Sequence, residues 1–467
     1  MRPRYAVGAV VAVQAVVLLA LSGQYGFHRD ELYFLAAGKH LDWGYVDQPP
    51  ITPFLGRVST LLFGDSPTGL RIVAILLGMA TVVVAAMIAH ELGGGEVLTA
   101  IGTALSSLTL VVSHMLSTTS VDLLVWVVLG YFAVRLLKSG DGRWWIPVGI
   151  TMAVGLANKW LVLLLIAALG ISVLIVGPRS IFRTWWLAIG VAVCLLLSAP
   201  VLIWQAQHDF PLLTVAGGIS ESDGTENRIL FVPMQLVYLA PILVPVCVVG
   251  FLRLWRDSSL RAVALTYPAL CLLTLATGGK PYYTAPLLLV LLAAGAAPSE
   301  RWARSRRWWI PLAALGVATN LVVALPVLPV SALAPAMALN QEQGEQVGWP
   351  AFAETVTREW NKIPDKSRAV IFTRNYGQAG AIERYGPAQP YSGHMSYADW
   401  GPPSDAKDGP ILLVGRLNDP ALFRGCTVQA VHHSVIDNNE NGVQISLCDG
   451  PSGKWSEIWP KLRRFYT

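Results

Sequence analysis

The 467-residue chain is 54% hydrophobic and only 13% charged, with a mean hydropathy of +0.52. A soluble domain carries about 25% charged residues; half of that, with apolar runs of about 20 residues recurring over the first two-thirds, makes lipid the solvent and excludes a soluble globular protein. The formal net charge of +5 is no nucleic-acid signature, because the basic residues sit in short links between apolar runs.

Taken in chain order, the apolar runs predict about eleven spans, near 5–24, 69–89, 97–115, 121–137, 144–158, 160–177, 185–204, 234–252, 261–277, 283–298 and 309–329. Those at 144–158 and 160–177 are short for a full crossing. The first run is long and has no clear small-residue cleavage site before Gly26, so it reads as an uncleaved span rather than a signal peptide. Alternate links hold Lys138 with Arg143, Arg179 with Arg183, then Arg253, Arg256 and Arg261, and finally Arg301, Arg304, Arg306 and Arg307; Arg2 and Arg4 fall on the same side. Basic short loops mark the cytoplasm. The loops 25–68, 116–120, 205–233 and 278–282 are then outside, and "ESDGTEN" in the third of them reads as a solvated, lid-like stretch.

From about residue 331 the composition turns polar. "AVIFT" and "PILLVG" read as short buried strands, and "WPAFAETVTREWNKI" and "YGQAGAIERYG" as helical pieces around them. The expected organisation is a membrane unit over 1–330 and a small α/β domain over 331–467, outside the membrane on the face opposite the basic loops. Cys426 and Cys448 are the pair placed to form a disulfide, with the turn-rich "DNNENG" between two strands, while Cys194, Cys247 and Cys271 read as packing residues. His432 and His433 read as surface residues. There is no internal repeat.

The first outer loop, "GFHRDELYFLAAGKHLDWGYVDQPP", sets His28, Arg29, Asp30, Glu31 and Asp47 directly behind a greasy span. Two helices lying along the membrane surface are expected, one from "DELYFLAAGKHL" and one introduced by Pro49 and Pro50. In the bland reading, Asp30 is a helix N-cap and Glu31 complements the helix dipole. The other loops of that side add Asp122 in "SVDLLVW", Lys159 in "GLANKW" and Lys280 in "GGKPYYTAP". Snorkelling explains one lysine at a span end, but not acids and bases gathered at one interface.

These motifs, with "NYGQAGAIERYG" and "SGHMSYADWG" in the tail, resemble the bacterial members of the dolichyl-phosphate-mannose protein mannosyltransferase family, glycosyltransferase family 39 of the GT-C membrane fold, a group that includes the aminoarabinose transferases. The resemblance implies a polyprenyl-phosphate sugar donor, a hydroxyl acceptor on a lipid, glycan or protein, and inverting transfer at the outer face of the cytoplasmic membrane. It implies a catalytic role for Asp30 and a functional one for Asp122. The "LANKW" around Lys159 departs from the family's "LTKG", and "DQPP" stands where the family has "HPP", so Asp47 replaces a polar contact.

Inverting transfer needs a base for the acceptor hydroxyl, for which Asp30 and then Asp122 are the candidates. It also needs positive charge for the departing phosphate, for which Lys159, Lys280, Arg29 and His28 are available. Glu31, Asp47, Tyr282 and Tyr283 complete the expected substrate-binding set, the tyrosines competing with a simple aromatic-belt role. No cofactor is required. A divalent cation held by Asp30, Glu31, Asp47 and Asp122 is the alternative, although no compact ligand motif supports it. The competing function is a polytopic transporter or flippase of envelope precursors, which would place ionisable residues near the bilayer midplane rather than at one edge.

Overall fold

The computed structural model describes residues 3–306 and 308–465; Arg2 and Arg307, counted above among the basic flanks, lie outside the described residues. The membrane unit runs Pro3–Leu21 (α1), Arg29–Ala37 (α2), Ile51–Phe63 (α3), Pro67–Glu91 (α4), Glu96–Leu105 (α5), Ser107–His114 (α6), Thr118–Ser139 (α7), Trp145–Leu156 (α8), Val162–Val176 (α9), Trp185–Gln207 (α10), Pro211–Leu239 (α11), Val244–Arg256 (α12), Arg261–Thr277 (α13), Ala285–Ala303 (α14) and Trp309–Ala324 (α15). Among the described residues, five helical stretches are long and apolar enough to cross a membrane: Pro3–Leu21, Pro67–Glu91, Thr118–Ser139, Trp185–Gln207 and Pro281–Ala303. Two more qualify as bent pairs, α5 with α6 at 60° and Pro211–Leu239 with Pro241–Arg256 at 84°. Shorter apolar helices are α3, α9, α13 and α15. Large apolar side chains such as Val16, Leu196, Ile229 and Leu272 stand exposed on the periphery, which suits contact with hydrocarbon and not with water. The chain is a multi-pass helical membrane protein.

Both bends have local causes. Ser106 leaves the helix in an extended conformation and caps the next one through Thr109 N–H. At the other break Ala240 takes φ 90 ahead of Pro241, which lacks an N–H to continue the ladder. Freed carbonyls in lipid need partners, and Asn320 of α15 donates to Leu105 O at 2.8 Å, beside Leu239 O at 3.5 Å.

The expected loop 205–233 is instead mostly α11, and "ESDGTEN" runs as helix within it. Pro211 starts the helix. Asn227 then donates to Gly278 O at 2.9 Å and Arg228 to Leu275 O at 3.0 Å, so tertiary bonds to the end of α13 hold the polar turn helical against its local turn preference.

After Ala334–Met337 (α16), the α/β part contains Trp349–Asn361 (α17), Tyr376–Tyr385 (α18) and Trp455–Leu462 (α19), with strands Val370–Thr373 (β1), Pro390–Ser392 (β2), Ile411–Val414 (β3), Phe423–Arg424 (β4), Thr427–Val431 (β5), Gln444–Cys448 (β6) and Gly450–Pro451 (β7). The main sheet has order β2-β1-β3-β6-β5; β1 is parallel to β2 and β3, while β6 is antiparallel to β3 and β5. Strand alternation divides its faces. Ile371, Leu412, Val414 and Ile445 pack on Phe352, Val356 and Ile382 of α17 and α18, and this core continues into Phe27, Leu32, Leu70 and Leu116 of the membrane unit. Val370, Phe372, Ile411 and Leu413 pack on Trp455, Ile458 and Trp459 of α19. Cys426 and Cys448 are disulfide-bonded. His433 is exposed, but His432 is not the surface residue expected: it is buried edge-on against Phe352.

Candidate active site

The site grows from the start of α2. His28 is its N-cap: Nδ1 accepts from Asp30 N–H at 3.1 Å, and Glu31 returns the bond to His28 N–H at 2.8 Å, forming a capping box. The cap is therefore His28, and the Asp30 carboxylate is released from the capping role the sequence offered it.

Glu31 belongs to a different task from the one expected. It is fully buried against Arg71 of α4, which donates Nε to Oε1 at 2.9 Å and Nη2 to Oε2 at 2.7 Å; Leu116 N–H adds a bond at 3.0 Å. Arg71 also donates to Ser22 O and Gly26 O, both at 2.7 Å. With these donors around it, Glu31 is a structural pin joining α2, α4 and the α6–α7 junction, which corrects its place in the substrate-binding set.

Asp30, one residue earlier, stays half-exposed. Tyr376 at the start of α18 donates its hydroxyl to Asp30 Oδ1 at 2.7 Å, and Arg29 Nε lies 3.6 Å from the same oxygen. The Arg29 guanidinium stacks over the Tyr376 ring at 5.5 Å. This approach depends on "YGQAG": a side chain at Gly377 would collide with Arg29, and one at Gly380 would meet Leu32 Cβ at 2.9 Å. Burial and the Asp30 charge push the Tyr376 phenol well above its usual pKa, so it remains a donor.

A short helical turn, Gln341–Gln346, closes the other side. Glu342 Oε2 bonds His28 Nε2 at 2.9 Å, and Glu345 Oε2 lies 3.7 Å from Arg29 Nη1. Burial pulls the His28 imidazole down in pKa, but Glu342 and Asp30 outweigh it and leave it raised. Burial works against ionising Glu342, yet His28, Arg29 and Lys280 bring it down to about 2.

Asp122, near the start of α7, is buried with Oδ1 accepting from Trp126 Nε1 at 3.0 Å. Lys159 reaches its charge from the α8–α9 turn, which Asn158 anchors by donating to Thr118 O at 2.8 Å. Lys159 Nζ sits 3.3 Å from the Tyr282 hydroxyl and over the Tyr282 and Tyr283 rings at 5.0 and 5.2 Å. Lys280 Nζ lies 3.6 Å from Asp223 Oδ2 of α11. Tyr282 feels the charges of Glu342, Asp122 and Asp30, which ties the two halves into one polar cluster. Asp47 stands at its edge, accepting from Tyr33 at 2.6 Å; burial lifts its carboxyl to about 6.

The expected residues thus gather at one end of the bundle, Glu31 among them but tied to Arg71. Among the described residues, no three His, Cys, Asp or Glu side chains converge to hold a metal ion; the four-carboxylate cation site fails because Glu31 is taken by Arg71. Arg71, Glu342, Glu345 and Tyr376 were missed. A lone arginine inside "GLRIVAILL" was a signal, since a charge within a span is costly without a partner. So were the glutamates of "QEQGEQ" directly behind the last span.

Residues 47–204 match the model of the dolichyl-phosphate-mannose-protein mannosyltransferase family, which bears out the resemblance carried by the motifs. The lipid A galacturonosyltransferase RgtD of Rhizobium johnstonii is 26% identical over 283 residues, 55% of this chain and 56% of that relative; the chain spans about half the length of the curated relative it matches. The crystal structures of ArnT from Cupriavidus metallidurans bound to undecaprenyl phosphate and in the apo state superpose with TM-scores of 0.61 and 0.62, at 16% and 14% identity. Each comparison covers 95% of this chain and 97% of the other. The fold is the GT-C membrane fold, and the likeness is to glycosyltransferases throughout.

Proposed function

We propose that this chain is a membrane glycosyltransferase that moves a sugar from a polyprenyl-phosphate donor to a hydroxyl on a lipid, glycan or protein acceptor by inverting displacement. One observation carries the reading: a part-exposed carboxylate, Asp30, has one oxygen fixed by Tyr376 and, among the described residues, no hydrogen bond on the other, while Lys159 bonds Tyr282 and Lys280 acts on the Glu342 that bonds His28, both neighbours being within reach of the Asp30 charge. Asp30 takes the acceptor proton as the sugar carbon is attacked, with Asp122 the second candidate. The leaving phosphate is already a stable anion and needs positive charge rather than an acid. Lys280 and Lys159, with Arg29 and His28 behind them, supply it, and Tyr282 and Tyr283 flank Lys159. A bound polyprenyl phosphate in the similar ArnT structure is consistent with such a donor.

In this reading the short apolar helices are crossings too, giving about eleven spans. The bonded Cys426–Cys448 pair and the basic loops of the opposite side support an extracytoplasmic site and α/β domain, since disulfides persist in oxidising compartments. A transporter would keep its ionisable residues near the midplane, whereas Asp30, Lys159 and Lys280 sit at helix ends.

The test is mass spectrometry of envelope glycans and lipids from a deletion strain carrying either the wild-type chain or Asp30→Asn. A sugar lost on deletion should return only with the wild type. Equal restoration by Asp30→Asn would remove the base from the mechanism. Impermeant labelling of single cysteines in 25–68 and in the tail tests the sidedness, and cytoplasmic labelling of either would overturn it.

A further inference from the structure

Asp30 and Tyr376, the two partners of the 2.7 Å bond in the site, are each held at the backbone in the same way. Asp30 N–H donates to Nδ1 of His28 at 3.1 Å, and Tyr376 N–H donates to Nδ1 of His394 at 3.3 Å. Both amides lie in the first turn of a helix, where an N–H has no partner within the helix. Both histidines are buried. Asn375 caps α18 through Gln378 N–H, which leaves the Tyr376 amide to His394. The two rings also stack, 5.2 Å apart and 17° from parallel.

His394 is itself fixed. Its N–H donates to Ser392 Oγ at 3.2 Å, and a parallel bridge joins it to Arg464. In that bridge Met395 N–H donates to Arg464 O at 2.9 Å and Arg464 N–H to Gly393 O at 2.7 Å. Met395 takes φ 51, a left-handed conformation that costs a non-glycine residue free energy and persists where the surroundings impose it. Ser396 then ties the loop to the membrane unit: its N–H donates to the Tyr33 hydroxyl at 3.3 Å, and its Oγ accepts from Val46 N–H at 3.1 Å.

For packing alone, an imidazole is a poor choice here. A backbone N–H can only donate, so Nδ1 of His394 is bare and Nε2 carries the ring hydrogen. That Nε2 is buried without a hydrogen-bond partner among the described residues, a cost a phenylalanine would not carry. Burial and the charges of Arg464, Arg29 and Arg374 bring the imidazole down to about 3, so the ring stays neutral and Nδ1 stays an acceptor. That acceptor is what histidine supplies and phenylalanine lacks.

We propose that His394 is a positioning residue for sugar transfer: its Nδ1 sets Tyr376, and Tyr376 sets the Asp30 carboxylate. The effect on transfer rests on the glycosyltransferase reading, whereas the hold on Tyr376 does not.

Two measurements test it. Asn375–Tyr376 is the one Asn-Tyr pair in the sequence, so asparagine labelled at its carbonyl carbon, with nitrogen-labelled tyrosine, isolates the Tyr376 amide in NMR spectra of the purified full chain. Its hydrogen exchange should be about tenfold faster in His394→Phe. It should return towards the wild-type rate in His394→Asn, whose Oδ1 can stand where Nδ1 does. The second measurement is the rate, per folded protein, at which the sugar missing from a deletion strain reappears after each variant is induced. His394→Phe should slow it about tenfold, and His394→Asn should recover most of that. In a Tyr376→Phe background, His394→Phe should add little further loss, because both act through one hydroxyl. The thermal midpoint of His394→Phe should stay within a few degrees of wild type; if it does not, His394→Leu takes its place. Unchanged amide exchange, an unchanged rate, no rescue by asparagine, or a loss independent of Tyr376 overturns the proposal. If the wild type restores no sugar, the glycosyltransferase reading falls, and amide exchange alone decides whether His394 holds Tyr376.

Discussion

Tyr376, the first residue of α18 in the α/β part, donates a 2.7 Å hydrogen bond to Asp30 across 346 residues of sequence. The bond brings the α/β part into the candidate site. In the proposed mechanism the phenol fixes one carboxylate oxygen and leaves the other for the acceptor proton. Asp30→Asn should lower transfer by about 10²–10⁴-fold, the range of a lost general base. Tyr376→Phe should cost less, about 10- to 100-fold, because it removes one bond to a charged group worth about 1.5–3 kcal/mol. The measurement is single-turnover transfer with saturating donor. A Tyr376→Phe enzyme at wild-type rate would mean the bond serves only docking of the domain.

The membrane unit was legible because apolar length is imposed by lipid, and Lys159 and Lys280 were legible because a charge at a span end is conspicuous. Three kinds of information were not in local sequence. The helical state of "ESDGTEN" depends on Asn227 and Arg228 reaching α13. The commitment of Glu31 depends on Arg71, 40 residues away. The cap of α2 fell to His28 because its ring nitrogen reached Asp30 N–H, whereas the bland reading of the sequence had given that role to Asp30. Each is a choice between locally similar options settled by a distant partner.

The Arg71–Glu31 pair predicts a stability phenotype. Among the described residues, Arg71→Met leaves the buried carboxylate with only the His28 and Leu116 N–H groups as donors. Breaking one side of a buried pair costs about 3–5 kcal/mol. Fluorescence-detected size exclusion after heating should show a clearly lower midpoint and reduced folded yield. The double variant Glu31→Gln with Arg71→Met should recover part of the loss, since no charge is stranded. An Arg71→Met protein that folds normally but cannot use donor would instead return the pair to substrate binding.

The Cys426–Cys448 bond closes a separation of 22 residues. In the chain-entropy account a loop of that size contributes about 3 kcal/mol. Cys426→Ser and Cys448→Ser, alone or together, should lower the melting midpoint of the α/β part by similar amounts, and reductant should do the same to the wild type only. Differential alkylation with mass spectrometry checks the bond directly; free thiols in protein isolated under non-reducing conditions would remove this support for the extracytoplasmic side.

Asp47 predicts a pH dependence. Burial raises its carboxyl to about 6, above the ordinary value of about 3.9. The folded state therefore holds a proton that the unfolded chain has released, so this residue's contribution to stability is full below about 4 and declines as pH rises to about 6. Asp47→Asn cannot lose that proton. Its midpoint should exceed that of the wild type increasingly from pH 4 to pH 6 and hold a constant difference above it. Parallel curves across that window would show that Asp47 carries no such linkage.

Lys280 is the sharpest test of the donor site. It follows Gly278 and Gly279 at the turn before Pro281, half-exposed, with Asp223 Oδ2 at 3.6 Å and the Glu342 charge within reach. A phosphate entering here meets an ammonium already shared with a carboxylate, so binding must compete with Asp223. A partly dehydrated membrane edge strengthens both attractions. Lys280→Ala should raise the donor KM by at least tenfold, a loss of about 1.4 kcal/mol. Lys280→Arg should recover part of that, because the charge persists while the geometry changes. Asp223→Asn should move the other way, lowering the donor KM by freeing the ammonium. Steady-state kinetics with varied donor at fixed acceptor distinguishes these outcomes. If Lys280→Ala and Asp223→Asn both leave the donor KM unchanged, the pair is a helix tie between α11 and the start of the next span, and the phosphate belongs with Lys159 and Arg29.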